Sequence, residues 1–102
     1  MTAFNIVRFR AKPEFLHEFQ ELYRTLPRSF EGLRKISLVK TGDFTFCGIG
    51  EWESLEAMSA ARPGMIGNLD NFRHMLEEPG GEPGVTDAVS GNVVYEFVPA
   101  TA

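Results

Sequence analysis

Phe44-Thr-Phe-Cys-Gly-Ile-Gly-Glu-Trp-Glu53 is the stretch that decides how this chain folds. Successive side chains of a strand face opposite sides, so Phe44, Phe46, Gly48, Gly50 and Trp52 point one way and Thr45, Cys47 and Ile49 the other. Apolar groups stand on both sides, which predicts a strand covered on both. Directly after it, Ser54 is suited to cap a helix, and Glu56 falls in the first turn, at the positive end of the helix dipole. A strand thus runs straight into a helix that begins Leu55-Glu-Ala-Met58.

Upstream, Gly42-Asp43 is a turn signal and Leu33 to Thr41 reads as a second strand, making an antiparallel hairpin with Phe44 to Glu53. Phe4 to Arg10 is rich in β-formers and reads as the first strand. Pro13 suits the first turn of a helix, where its missing N–H would be unpaired anyway. Phe15, Leu16, Phe19, Leu22, Tyr23 and Leu26 then fall on one helical stripe, and Pro27 ends it. Downstream, Pro63-Gly64 predicts a break in the second helix, giving pieces over about 55–62 and 64–77. Pro79 to Gly84 is a loop by composition. Val85 to Asn92 is extended or a small hairpin turning at Ser90-Gly91, and Val93 to Val98 reads as the last strand. The order strand–helix–strand–strand–helix–strand predicts one α+β domain over residues 1–102, with two helices on one face of a four-stranded antiparallel sheet.

Composition narrows the function. The chain has 102 residues, 43% hydrophobic and 24% charged, ordinary for a globular protein. Its net charge of −4 and scattered basic residues disfavour nucleic acid, which needs a concentrated basic face. No apolar run approaches the ~20 residues of a membrane span. The N-terminus, with Arg8 and Arg10 close behind it, lacks the pattern of a signal peptide. Cys47 is the single cysteine, so no internal disulfide forms and a cytoplasmic setting is expected.

The sheet face away from the helices also carries apolar groups. Phe4 and Ile6 oppose Val7 and Phe9 in the first strand, and Val94 and Val98 oppose Val93, Tyr95 and Phe97 in the last. Covering such a face with a second copy of the chain predicts a homodimer. The competing reading is an antiparallel sheet half-solvated on one side.

With the order of elements, the length and the junction Glu51-Trp52-Glu53-Ser54-Leu55-Glu56-Ala57-Met58, the chain resembles the antibiotic biosynthesis monooxygenase-like domains over Phe4 to Val98. The resemblance implies a ferredoxin-like protomer paired into a dimeric α+β barrel. It also implies a cofactor-independent monooxygenase acting on a small aromatic or quinol-like substrate, with neither cofactor nor metal required. The alternative is a non-catalytic dimer that binds a small apolar ligand or a partner protein.

Five residues are candidates for the site. Asn5 is polar in an apolar strand, shares a face with Val7 and Phe9, and matches an asparagine that oxygen-activating relatives carry early in this strand. Its amide is suited to hydrogen-bond an oxygen of a substrate; the plainer role is a capped asparagine. His74, beside the stripe of Leu69, Phe72 and Leu76, is a candidate proton acceptor or a surface histidine. Trp52 either packs the core or stacks on an aromatic substrate. Gly48, with Gly50, removes side chains from the face that Trp52 shares, so that a helix can approach closely or a cavity can open for a ligand. Phe72 completes a wall that would suit a flat ring.

Overall fold

β1 (Ala3–Ala11) is the strand on which the rest assembles. In the computed structural model, which describes residues 1–77 and 86–100, it pairs along one edge with β3 (Thr45–Trp52), from Ala3 opposite Trp52 to Arg10 opposite Thr45. β2 (Leu33–Lys40) lies outside β3 through the expected hairpin. The other edge of β1 is shared by β4 (Leu76–Glu77), opposite Arg10 and Ala11, and β5 (Asp87–Asn92), opposite Ala3 to Arg8. Every pairing is antiparallel, and the order β2-β3-β1 followed by β4 and β5 is that of a ferredoxin-like sheet.

After a 3-10 turn at Pro13–Phe15, α1 (Leu16–Thr25) follows β1 and ends where Leu26 turns extended before Pro27. α2 (Leu55–Phe72) opens on Ser54, whose Oγ accepts from the Ala57 N–H at 3.0 Å. Among the described residues no helix is long and apolar enough to cross a membrane.

Two expectations are corrected. The second helix is not divided at Pro63-Gly64: α2 runs unbroken through it, and the irregular stretch is instead a 3-10 turn at Arg73–Met75. An internal proline costs about 3 kcal/mol. Met58, Ala61 and Met65 pack into the cluster around Trp52, and Leu69 and Phe72 into the cluster around Phe9 and Phe19, so burial on both sides of Pro63 offsets that cost. Gly64 also has a local reason to be glycine, since a Cβ there would stand 2.6 Å from Cε1 of Phe30.

The second correction concerns the last strand. It is Asp87–Asn92, not Val93 to Val98. Asp87 pairs with Arg8 at 2.7 Å and Val89 lies opposite Ile6, so this segment takes the free edge of β1. Val93 adds one backbone bond, to the Thr2 carbonyl at 2.9 Å. Beyond it Val94, Tyr95, Phe97 and Val98 are exposed and join no ladder among the described residues, because the edge of β1 is already occupied. The Pro79 to Gly84 loop lies outside the described residues.

The alternation read from the sequence holds in β1 and β3. Phe46, Gly48, Gly50 and Trp52 are buried, and their neighbours Ala3, Val7 and Phe9 share the helix side. On the opposite face Ile49, Ile6 and Val89 stand side by side across three strands. Ile6 and Val89 are exposed.

Candidate functional site

The buried core divides at the middle of β3. One cluster gathers Phe9, Phe19, Phe46 and Phe72; the other gathers Ala3, Trp52 and Met58, with Phe30 and Met65 packed against them. Gly48 and Gly50 contribute no side chains where the two would meet. A cavity of about 360 Å3 fills the gap, lined from both clusters, from β5 and from one stripe of α2. Its size lies in the range of small-molecule sites.

Asn5 and Trp52 form its polar wall. They sit diagonally across the β1–β3 ladder, Asn5 opposite Gly50 and Trp52 opposite Ala3. The buried Trp52 donates its Nε1–H to Asn5 Oδ1 at 2.6 Å. An indole N–H can only donate, so it fixes which end of the amide faces it. Among the described residues the Asn5 NH2 has no partner, which leaves it as a donor for an occupant of the cavity. Gly50 makes the pair possible: a Cβ there would collide with Asn5 Oδ1 and stand 2.9 Å from Trp52 Nε1. Phe30 lies over Trp52 with ring centroids 6.2 Å apart.

Tyr23, from α1, reaches the same cavity over Gly48. Its hydroxyl lies 3.3 Å from where a Gly48 Cβ would stand. The Arg28 guanidinium lies 4.5 Å from the centre of the Tyr23 ring and donates to the Tyr23 carbonyl at 2.5 Å. Burial pushes the Tyr23 phenol above its ordinary pKa of 10.0, with the Arg28 charge and hydrogen bond pulling partly back. The hydroxyl therefore stays protonated at neutral pH and is available as a donor.

Of the residues singled out in the sequence, Asn5, Gly48, Trp52 and Phe72 line this one cavity. His74 lies elsewhere, exposed on the 3-10 turn with its ring edge-on to Phe15 at 5.5 Å. Tyr23 and Arg62 are two of the lining residues that the sequence reading did not single out. Tyr23 looked like one more member of the α1 stripe. The spacing of Arg62 from Met58, Met65 and Leu69 puts it on the cavity-facing stripe of α2, a signal that the sequence carries.

Comparisons with known proteins bear on this geometry. The family model described as antibiotic biosynthesis monooxygenase matches residues 2–64. No curated protein matches the chain significantly. Solved structures share the fold across its length. A protein of unknown function from Nitrosomonas europaea superposes with a TM-score of 0.74 at 17% identity, covering 98% of this chain and 96% of its own. A dimeric ferredoxin-like protein from an uncultured marine organism gives 0.75 at 13%, covering 97% and 93%. A mutant of SnoaB, a cofactor-independent oxygenase from Streptomyces nogalater, gives 0.66 at 16%, covering 94% and 96%. At such identities these structures speak for the fold. The family match spans more than half of the chain, including the strands that carry Asn5, Gly48, Gly50 and Trp52, and the chain therefore belongs to the antibiotic biosynthesis monooxygenase family.

Proposed function

We propose that this chain is a monooxygenase-like enzyme that oxidises a small aromatic or quinol-like substrate in the cavity between sheet and helices. The observation that carries the reading is the state of Asn5. It is a polar group in a mostly apolar wall, held by a buried tryptophan, with its NH2 left over for an oxygen of the substrate. Amide and hydroxyl donors bind a phenolate more strongly than a phenol, so a substrate held by Asn5 and Tyr23 ionises more readily. The electron-rich anion supplies the electrons that activate oxygen. For a ring CH2 beside the phenol, CH2 and O2 give C=O and H2O, with no cofactor in the balance. Among the described lining residues there is neither imidazole nor carboxylate, so the phenolic proton passes to water at the mouth. Family membership and the neighbour described as a cofactor-independent oxygenase support this reading.

Oxygen uptake with a panel of anthrones and hydroquinones tests it. Wild type is expected to consume oxygen without added cofactor, Asn5→Ala to slow it about a hundredfold, and His74→Ala to leave it unchanged. Absence of uptake across the panel would count against catalysis. The mostly apolar lining also suits a non-catalytic binding module, and binding of the same compounds without oxygen consumption would decide for that reading.

The working unit in this proposal is a homodimer. The helix-free face presents Ile6, Ile49 and Val89 in a row, and Val94, Tyr95, Phe97 and Val98 stand in water beyond β5. Contiguous exposed apolar surface of this kind marks an interface. One structural neighbour is described as dimeric, which supports the pairing.

A further inference from the structure

The central stripe of α2 that faces the cavity reads Met58, Arg62, Met65, Leu69 and Phe72, with steps of four and three residues; Ile66 and Asn68 flank it, and the Asn68 amide donates to the Pro27 carbonyl. An apolar stripe on a core-facing helix is ordinary; an arginine inside it is not. Arg62 is exposed, so it stands at the mouth rather than in the depth. It is the one charged side chain among the described residues that line the cavity. Deeper in, Asn5 and Tyr23 offer neutral donors. The polar lining is thus graded, with uncharged donors inside and a cation at the entrance.

We infer that the ligand of this cavity is an amphiphilic anion: a flat apolar body whose oxygen meets Asn5 and Tyr23 and whose carboxylate meets Arg62. The inference rests on the cavity being the working site and adds the class of compound that fits it. A guanidinium presents a planar fork matched to a carboxylate, and a ligand spanning both groups is held in one orientation. The net charge of −4 repels anions from the molecule as a whole, so a preference for an acid has to come from a local group.

Titration calorimetry with a hydroxynaphthoate and the matching naphthol separates the terms. Wild type is expected to bind the acid about tenfold more tightly than the neutral phenol, the scale of one charge-assisted contact. Arg62→Gln is expected to remove that preference while leaving naphthol affinity unchanged, which also shows that the cavity is intact. Arg62→Lys keeps the charge and is expected to retain part of the preference. Equal wild-type binding of the two compounds, or a preference that survives in Arg62→Gln, would overturn the carboxylate assignment and leave the cavity reading standing. Failure of wild type to bind either compound would overturn both.

Discussion

Trp52 Nε1 donates to Asn5 Oδ1 at 2.6 Å across the space that Gly50 leaves empty. The two residues are 47 positions apart in the chain and meet because β1 and β3 pair in the register that sets Asn5 opposite Gly50. One hydrogen bond thus joins strand register to the chemistry of the cavity: it satisfies a buried donor and also orients the amide.

Asn5→Ala therefore has a structural cost separate from any catalytic one. Trp52 is 1% exposed, so once the acceptor is gone its N–H is met only by water that enters the cavity. An unsatisfied buried donor costs about 1–3 kcal/mol. Urea unfolding is expected to show Asn5→Ala destabilised by that amount. Asn5→Asp, which keeps an acceptor, should lose less. Equal stability of wild type and Asn5→Ala would mean that the indole N–H does not depend on this bond.

The glycines separate into those that leave room and those that do not. A methyl at Gly50 would press on both Asn5 and Trp52, and overpacking of this kind costs about 1–3 kcal/mol. In α2, a Cβ at Gly67 meets nothing within 4 Å. Gly67→Ala should stabilise by about 0.5–1 kcal/mol through helix propensity. Thermal melts of the two single variants are expected to move in opposite directions. A Gly50→Ala melt at or above wild type would contradict the crowding.

The strands and the Ser54 cap were legible because their signals are local: alternation has a period of two, and a cap needs only its own first turn. Pro63 misled because the rule against internal proline is also local, whereas the packing of Met58 and Leu69 on either side of it is tertiary. Val93 to Val98 has the composition of a strand, but β-propensity yields to the availability of an edge, and Asp87–Asn92 takes the edge of β1. In the site, Asn5 stood out as polar among apolar neighbours. Tyr23 did not, since its ring belongs to a core stripe while its hydroxyl reaches the cavity over Gly48. His74 sits next to the right stripe in sequence, but the helix gives way to a 3-10 turn at Arg73 and turns it away from the cavity lining.

The row Ile49, Ile6 and Val89 offers a direct probe of pairing. If a second copy covers this face, a charge at its centre has to be buried without a partner, which strongly opposes association. Ile6→Glu is expected to shift sedimentation from dimer toward monomer at micromolar concentration. Its side chain points away from the helices, so binding of a small aromatic compound on the other side should persist. A wild type that sediments as a monomer under the same conditions would remove the case for the pair.

Tyr23 predicts how stability responds to alkali. Burial raises the phenol above 10.0 in the folded chain, so the folded state holds this proton more tightly than the unfolded one. The sign follows from linkage: between the unfolded and folded pKa the unfolded state binds fewer protons, and unfolding free energy falls as pH rises. The contribution is fully present below the unfolded value and is lost as pH climbs through the folded one. Tyr23→Phe removes the ionisable group and should flatten that decline, while the exposed Tyr95 is common to both proteins. Urea midpoints measured at about pH 8 and about pH 11, on either side of the ordinary tyrosine pKa, are expected to fall more for wild type than for Tyr23→Phe. Parallel declines would mean that the Tyr23 hydroxyl is as well solvated in the folded chain as in the unfolded one, contradicting its burial over Gly48.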